Sequence, residues 1–167
     1  HHKSTLQFHF FDLLVGYSSI TIPSLLYILN GPNLNLLGTR EPEKYGNTSL
    51  ENVKSLCNEK CINNELDLHF FQSNFEGEII EEIHKANNNA CGIIINAGAL
   101  THTSIGILDA LTMFEGPKIE IHITNVYARE DFRHKSFISP VATGIIAGLG
   151  VNSYVLAIEA IKELIND

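Results

Sequence analysis

From Ser24 onward, apolar and polar positions alternate in blocks that predict a repeat of strand and helix. Leu25 to Leu29 is an apolar run of strand length that stops abruptly at Asn30, Gly31, Pro32 and Asn33. Thr48 and Glu51 have the spacing of a capping box ahead of a helix running to about Asn63. A second strand, Leu66 to Phe71, precedes a helix from about Glu76 to Asn87 with Ile79, Ile80 and Ile83 on one face. Gly92 to Ile95 is a β-branched run of the sort buried on both faces. The helix predicted from Thr103 to Phe114 presents Ile107, Leu108 and Leu111. Lys118 to Ile123 and Gly144 to Leu149 read as the last two strands. Asn152 to Leu164 reads as a closing helix that buries Val155, Ile158 and Ile161.

Five strands alternating with four helices predict an α/β, flavodoxin-like, three-layer fold with a five-stranded, mostly parallel sheet. Right-handed crossovers bring the strand ends to one edge. Asn33, Asn74, Asn96 and His122 then share a rim, and ligands of open α/β sheets bind at that edge. Residues 1–23 mix Phe8, Phe10, Phe11, Leu13 and Leu14 with His9 and Asp12 at no clean period, and we read them as an extension. Residues 24–167 form a single domain that carries the chemistry.

Composition narrows the classes of function. The chain has 167 residues, 44% of them apolar, which suits one globular domain with one substantial core. A net charge of −8 argues against a surface for nucleic acid, because phosphate contacts need a basic face. No 18-residue apolar stretch suggests a membrane-spanning helix. Three cysteines, Cys57, Cys61 and Cys91, make no paired framework and fit a reducing compartment. The only arginines are Arg40, Arg129 and Arg133, against eight lysines. Arginine suits bidentate carboxylate recognition, so this usage points to an anionic small molecule.

Three constellations carry candidate chemistry. Arg40 and Tyr45 lie in the loop after the first strand, where a guanidinium near a phenol lowers its pKa from about 10 and makes a base. The competing arrangement pairs Arg40 with Glu41 or Glu43 and has Tyr45 close a turn with Gly46. Asn96 to Ser104 follows the third strand and enters a helix whose N-terminus favours an anion. There Asn96 and His102 can read hydroxyls, while Thr101, Thr103 or Ser104 caps the helix. Glu120 and His122, two apart on one strand, point to the same side. A carboxylate beside a histidine fixes its tautomer or keeps it protonated, as a general acid requires. The charged run from Ile123 to Ser136 has the default reading of a solvated surface, but Arg129 and Arg133, spaced by four, can equally lie on one helical face and close over an anion. A metal cluster drawn from His102, Asp109, His122 and His134 has no recognised ligand spacing, and no phosphate-binding glycine fingerprint is present.

Taken together, NGPNLNLLGTREPEKYG, QSNFEG, INAGALTHTS, IEIHITNVYAREDFRHKS and GLGVNSY resemble the type II 3-dehydroquinate dehydratases, over about Leu25 to the C-terminus. The resemblance implies loss of water from 3-dehydroquinate by anti elimination through an enolate, with no metal and no organic cofactor. It implies Tyr45 as base, Arg40 as the group that lowers its pKa, Asn33 as holder of a water at the enolate oxygen, and His122 as acid, oriented by Glu120. Asn96, His102, Arg133 and the backbone amides of Ile123 and Thr124 would bind substrate. Asp109 would reach a neighbouring subunit's site in a cytoplasmic homododecamer built from trimers. Asn33 to Tyr45 would act as a lid. Arg129 matches the pattern without a contact of its own. Thr124 stands where serine is expected, and Leu100 where many members carry an aromatic. The rival readings are a flavodoxin-like binding or regulatory module and a metal-assisted hydrolase.

Overall fold

The computed structural model describes residues 23–39, 41–45 and 47–167. The first strand, β1 (Leu25–Asn30), is followed by a short helix α1 (Pro42–Tyr45) and then α2 (Leu50–Asn63). Strand β2 (Asp67–Gln72), helix α3 (Glu76–Ala86), strand β3 (Gly92–Asn96) and helix α4 (Ile105–Met113) come next. Strands β4 (Lys118–His122) and β5 (Gly144–Ala147) precede the closing helix α5 (Asn152–Asn166). The sheet runs β2-β1-β3-β4-β5 and every pairing in it is parallel.

Alternation along the strands divides the core into two layers. Leu26 and Ile28 of β1 point to the face covered by α2 and α5, with Val53, Cys57, Tyr154, Ile158 and Ile161. Tyr27 and Leu29 point to the opposite face, against Ile79 and Ile83 of α3 and Ile107 and Leu111 of α4. β3 is buried at every position, as its β-branched run requires. Of the apolar positions expected to be buried, Ile80, Leu108 and Val155 are only half-buried.

The start of α2 differs from expectation. Ser49, not Thr48, caps it, accepting from the Asn52 N–H at 3.2 Å. With the helix beginning at Leu50, Glu51 sits one residue too early to reach back and complete a capping box. α4 is likewise capped by Ser104, which accepts from the Ile107 N–H at 2.9 Å. β1 runs one residue further than its apolar stretch, because Asn30 pairs with both Gln72 and Asn96. β5 ends two residues earlier than its sequence suggests, just before Gly148 turns the chain at φ 88°.

The chain leaves β1 for β2 on one side, then crosses to β3 on the other. The carboxyl ends of β1 and β3 therefore part around a crevice, the ligand position of this topology. Gly31 makes the walls meet: its N–H donates to the Asn96 carbonyl at 2.8 Å, and a Cβ there would lie 2.2 Å from the Ala97 oxygen. Only glycine allows so close an approach.

Candidate active site

The cavity at this edge is lined by Asn33 after β1, Asn96 at the end of β3, His102, and His122 with Ile123 and Thr124 at the end of β4. Arg129 completes the wall from the loop beyond.

His122 and Glu120 are both buried, and the His122 Nε2 lies 2.5 Å from Glu120 Oε2. The carboxylate has further partners: Ser136 donates to Oε2 at 3.0 Å and Oε1 at 3.2 Å, and Ser139 donates to Oε1. Burial pushes the Glu120 carboxyl pKa up, but the bonds from His122 and Ser139, the charge of His122 and the Ser136 bond outweigh it, leaving the group below its ordinary value. An ionised carboxylate therefore backs the histidine.

His102 stands over this pair, its ring nearly parallel to that of His122. A backbone carbonyl only accepts, so the 2.7 Å contact between His102 Nδ1 and the Lys135 oxygen places a proton on Nδ1. A neutral His102 then presents Nε2 as an acceptor.

Asn96 is held from inside the fold. Its amide nitrogen donates to the Tyr154 hydroxyl at 2.9 Å, and that hydroxyl donates to Asn30 Oδ1 at 2.6 Å. The Asn30 amide nitrogen ends the chain on the Phe71 carbonyl at 3.1 Å. Because that carbonyl only accepts, the direction of every bond in the relay follows, including which end of Asn96 faces Tyr154. Asn33 adopts a left-handed conformation at φ 70°, and its N–H is bound by Asn74 Oδ1 at 2.9 Å. The expected rim of Asn33, Asn74, Asn96 and His122 is thus present.

Arg129 and Arg133 do not take the helical alternative, because Asn125 caps one 3-10 turn, Val126–Ala128, and a second, Asp131–Arg133, starts only after Arg129 has turned extended. Arg129 lines the cavity and donates to Thr124 Oγ1 at 3.3 Å. Arg133 lies outside the lining and donates through Nε to Glu130 at 2.8 Å. Asp109 is exposed on α4, away from the cavity. Arg40 and the side chain of Tyr45 lie outside the described residues. Residues 1–22 of the expected extension also lie outside them.

Among the described residues, no group of three or more His, Cys, Asp or Glu side chains could hold a metal ion, so His102, Asp109, His122 and His134 are not assembled into one. None of the described helices is long and apolar enough to cross a membrane. The sequence reading missed Ser136, Ser139, Asn30 and Tyr154. A carboxylate inside KIEIHI requires buried donors, and that requirement was the available signal for the two serines.

Residues 24–162 match the family described as dehydroquinase class II. A 3-dehydroquinate dehydratase of Cereibacter sphaeroides is 54% identical over 139 residues, covering 83% of this chain and 95% of the relative. A catabolic 3-dehydroquinase 2 of Aspergillus terreus is 54% identical over 145 residues, covering 86% of this chain and 98% of the relative. Among solved structures, the type II dehydroquinase of Propionibacterium acnes superposes with a TM-score of 0.82 at 39% identity, covering 85% of this chain and 98% of that one. The enzyme from Butyrivibrio crossotus gives 0.80 at 44%, covering 83% and 97%.

Proposed function

Since the chain belongs to the class II dehydroquinases and is a hydro-lyase acting on 3-dehydroquinate, we propose that its described cavity and its Arg40–Tyr45 loop together perform an anti elimination through an enolate. Tyr45 is the base that takes the C2 proton. A free phenol is almost wholly protonated at neutral pH, and each unit by which Arg40 lowers its pKa is worth about 1.4 kcal/mol between protonation states. Asn33 holds a water that supports the enolate oxygen. His122 protonates the departing hydroxyl, and Glu120 orients it. The product is the conjugated enone 3-dehydroshikimate, for aromatic biosynthesis or quinate breakdown.

The observation that carries this reading is the buried Glu120–His122 pair opening onto a cavity with Asn33, Asn96 and His102. Asn96, His102 and the amides of Ile123 and Thr124 bind substrate hydroxyls and carboxylate. Arg133 joins them by exchanging Glu130 for the substrate carboxylate, an inexpensive exchange because exposed ion pairs are weak. Asn33 to Tyr45 closes as a lid and excludes water. Exposed Asp109 serves a neighbouring subunit's site in a dodecamer of trimers. Free, buried cysteines suit a cytoplasmic enzyme.

The test is absorbance of the enone after 3-dehydroquinate is added with excess chelator, for wild type and Tyr45→Phe. Turnover in wild type and its near loss in the variant support the scheme. Unchanged turnover in Tyr45→Phe removes that residue as base, and loss of turnover on chelation overturns the metal-free mechanism.

A further inference from the structure

The segment Lys135 to Ser139 touches His102 directly and reaches His122 through Glu120. Its first carbonyl accepts from His102, and the Phe137 N–H donates to the Thr101 carbonyl at 2.9 Å, fixing the segment to the turn that carries His102. The side chains that follow reach Glu120. Ser136 Oγ accepts the N–H groups of Ile138 and Ser139, both at 3.0 Å. Both of its acceptor positions are then used, so its single proton has one destination, the Glu120 carboxylate. Ser139 supplies a second hydroxyl to the same group.

We infer that Ser136 and Ser139 are positioning residues of the dehydratase: their hydroxyls hold Glu120 as an acceptor, which keeps a proton on His122 Nε2 and leaves Nδ1 to serve the substrate. In the charged histidine both nitrogens carry protons. The Nδ1–H bond breaks, its proton forms the new O–H bond of the departing hydroxyl, and that oxygen leaves as water with the C–O electron pair. His122 is left neutral, with Nε2–H still on Glu120. Without the serine donors the carboxylate is free to turn away from Nε2 and protonates at a higher pH, and the ring can then present the wrong nitrogen. Among the described residues, the other titratable groups facing this pair are His102, from the turn after β3, and Arg129, across the cavity.

This inference rests on His122 being the acid oriented by Glu120, so the experiment includes His122→Gln and Glu120→Gln. Steady-state kinetics against pH are compared for wild type, Ser136→Ala, Ser139→Ala, the double alanine variant and Ser139→Thr. The double variant is expected to lose kcat by about 10- to 100-fold with KM little changed, as for loss of one or two hydrogen bonds to a charged group. Because the serines lower the Glu120 pKa, the acid limb of kcat moves to higher pH by about one unit in that variant. Ser139→Thr restores the hydroxyl and returns the profile toward wild type. A double variant of wild-type thermal stability with an unmoved acid limb, alongside a collapsed Glu120→Gln, overturns the serine assignment alone. An intact Glu120→Gln overturns the orienting role of Glu120 and the serine role with it, and an intact His122→Gln overturns the acid assignment beneath both. Should the double variant fail to fold, Ser139→Ala, which leaves the Ser136 turn in place, carries the same test. Imidazole nitrogen shifts of histidine-labelled wild type, assigned to His122 by difference, are expected to show Nε2–H; a neutral Nδ1–H tautomer overturns the proposal without reference to turnover.

Discussion

The rings of His102 and His122 lie 16° from parallel with centroids 6.4 Å apart. Each is anchored from behind, one by the Lys135 carbonyl and the other by Glu120. Adjacent rings can therefore differ in duty. His122→Gln is expected to lower kcat by roughly 10² to 10⁴, the usual contribution of a general acid, with KM nearly unchanged. His102→Ala should act chiefly on KM if, as proposed, it binds a substrate hydroxyl. Initial rates over a range of substrate concentrations separate the two; a His122→Gln defect confined to KM would contradict the division.

Stability should depend on pH through Glu120. Its folded-state pKa lies below the ordinary value of 4.5, so near that pH the unfolded chain binds more protons than the folded one. The stability this group contributes is fully present above the unfolded value and is lost as pH falls through the lowered folded value. Urea midpoints of wild type and Glu120→Gln, measured from neutral to acid pH, should differ most near neutrality and converge on acidification. A constant difference would show that Glu120 does not titrate as described.

Tyr154→Phe removes one oxygen atom and leaves Asn30 Oδ1 and Asn96 Nδ2 without their buried partner. Groups stranded in this way cost about 1–3 kcal/mol. Denaturant unfolding should report that loss. KM should rise as well, because Asn96 is no longer held in one orientation. A stability loss with unchanged KM would separate the relay from substrate binding.

Gly31→Ala would place a methyl 2.2 Å from the Ala97 oxygen, a backbone atom that cannot swing aside. Overpacking of this kind costs about 1–3 kcal/mol. The walls of the crevice must then separate. A lower melting temperature and a sharp fall in kcat/KM are expected together, whereas wild-type behaviour would mean that β1 and β3 tolerate the separation.

Cys57, Cys61 and Cys91 are free and buried. Burial pushes the Cys57 thiol up to about 12 and the Cys61 thiol to about 11, so neither is a nucleophile at neutral pH. Ellman's reagent should label the native enzyme slowly and the urea-unfolded enzyme at all three positions. Rapid native labelling would show that the α2 and α5 layer opens readily.

Much of the architecture was legible because strand burial and helix amphipathicity are local patterns. GIII could only be an interior strand, and a period of two placed Glu120 beside His122. Details decided by competition between neighbours were harder to read. Thr48 and Ser49 are both competent caps, and the one that wins depends on where Leu50 begins its turn. Arg129 and Arg133 have helical spacing, but two 3-10 turns break the phase between them. Tyr154 lies in GLGVNSY with no sign of its role, since a partner 124 residues away leaves no periodic trace.

That separation bears on when the enzyme becomes an enzyme. Synthesis proceeds from the N-terminus, and the Tyr154 hydroxyl that locks Asn30 of β1 and Asn96 of β3 belongs to α5. A growing chain can lay down β1 to β4 and bring His122 beside Glu120, yet Asn96 stays free to turn until α5 emerges and docks. Contacts of such long range also form slowly. Competence should therefore arrive as a late, single step on completion of the C-terminal helix, so that a chain stalled before Tyr154 carries the Glu120–His122 pair beside an Asn96 that nothing holds in place.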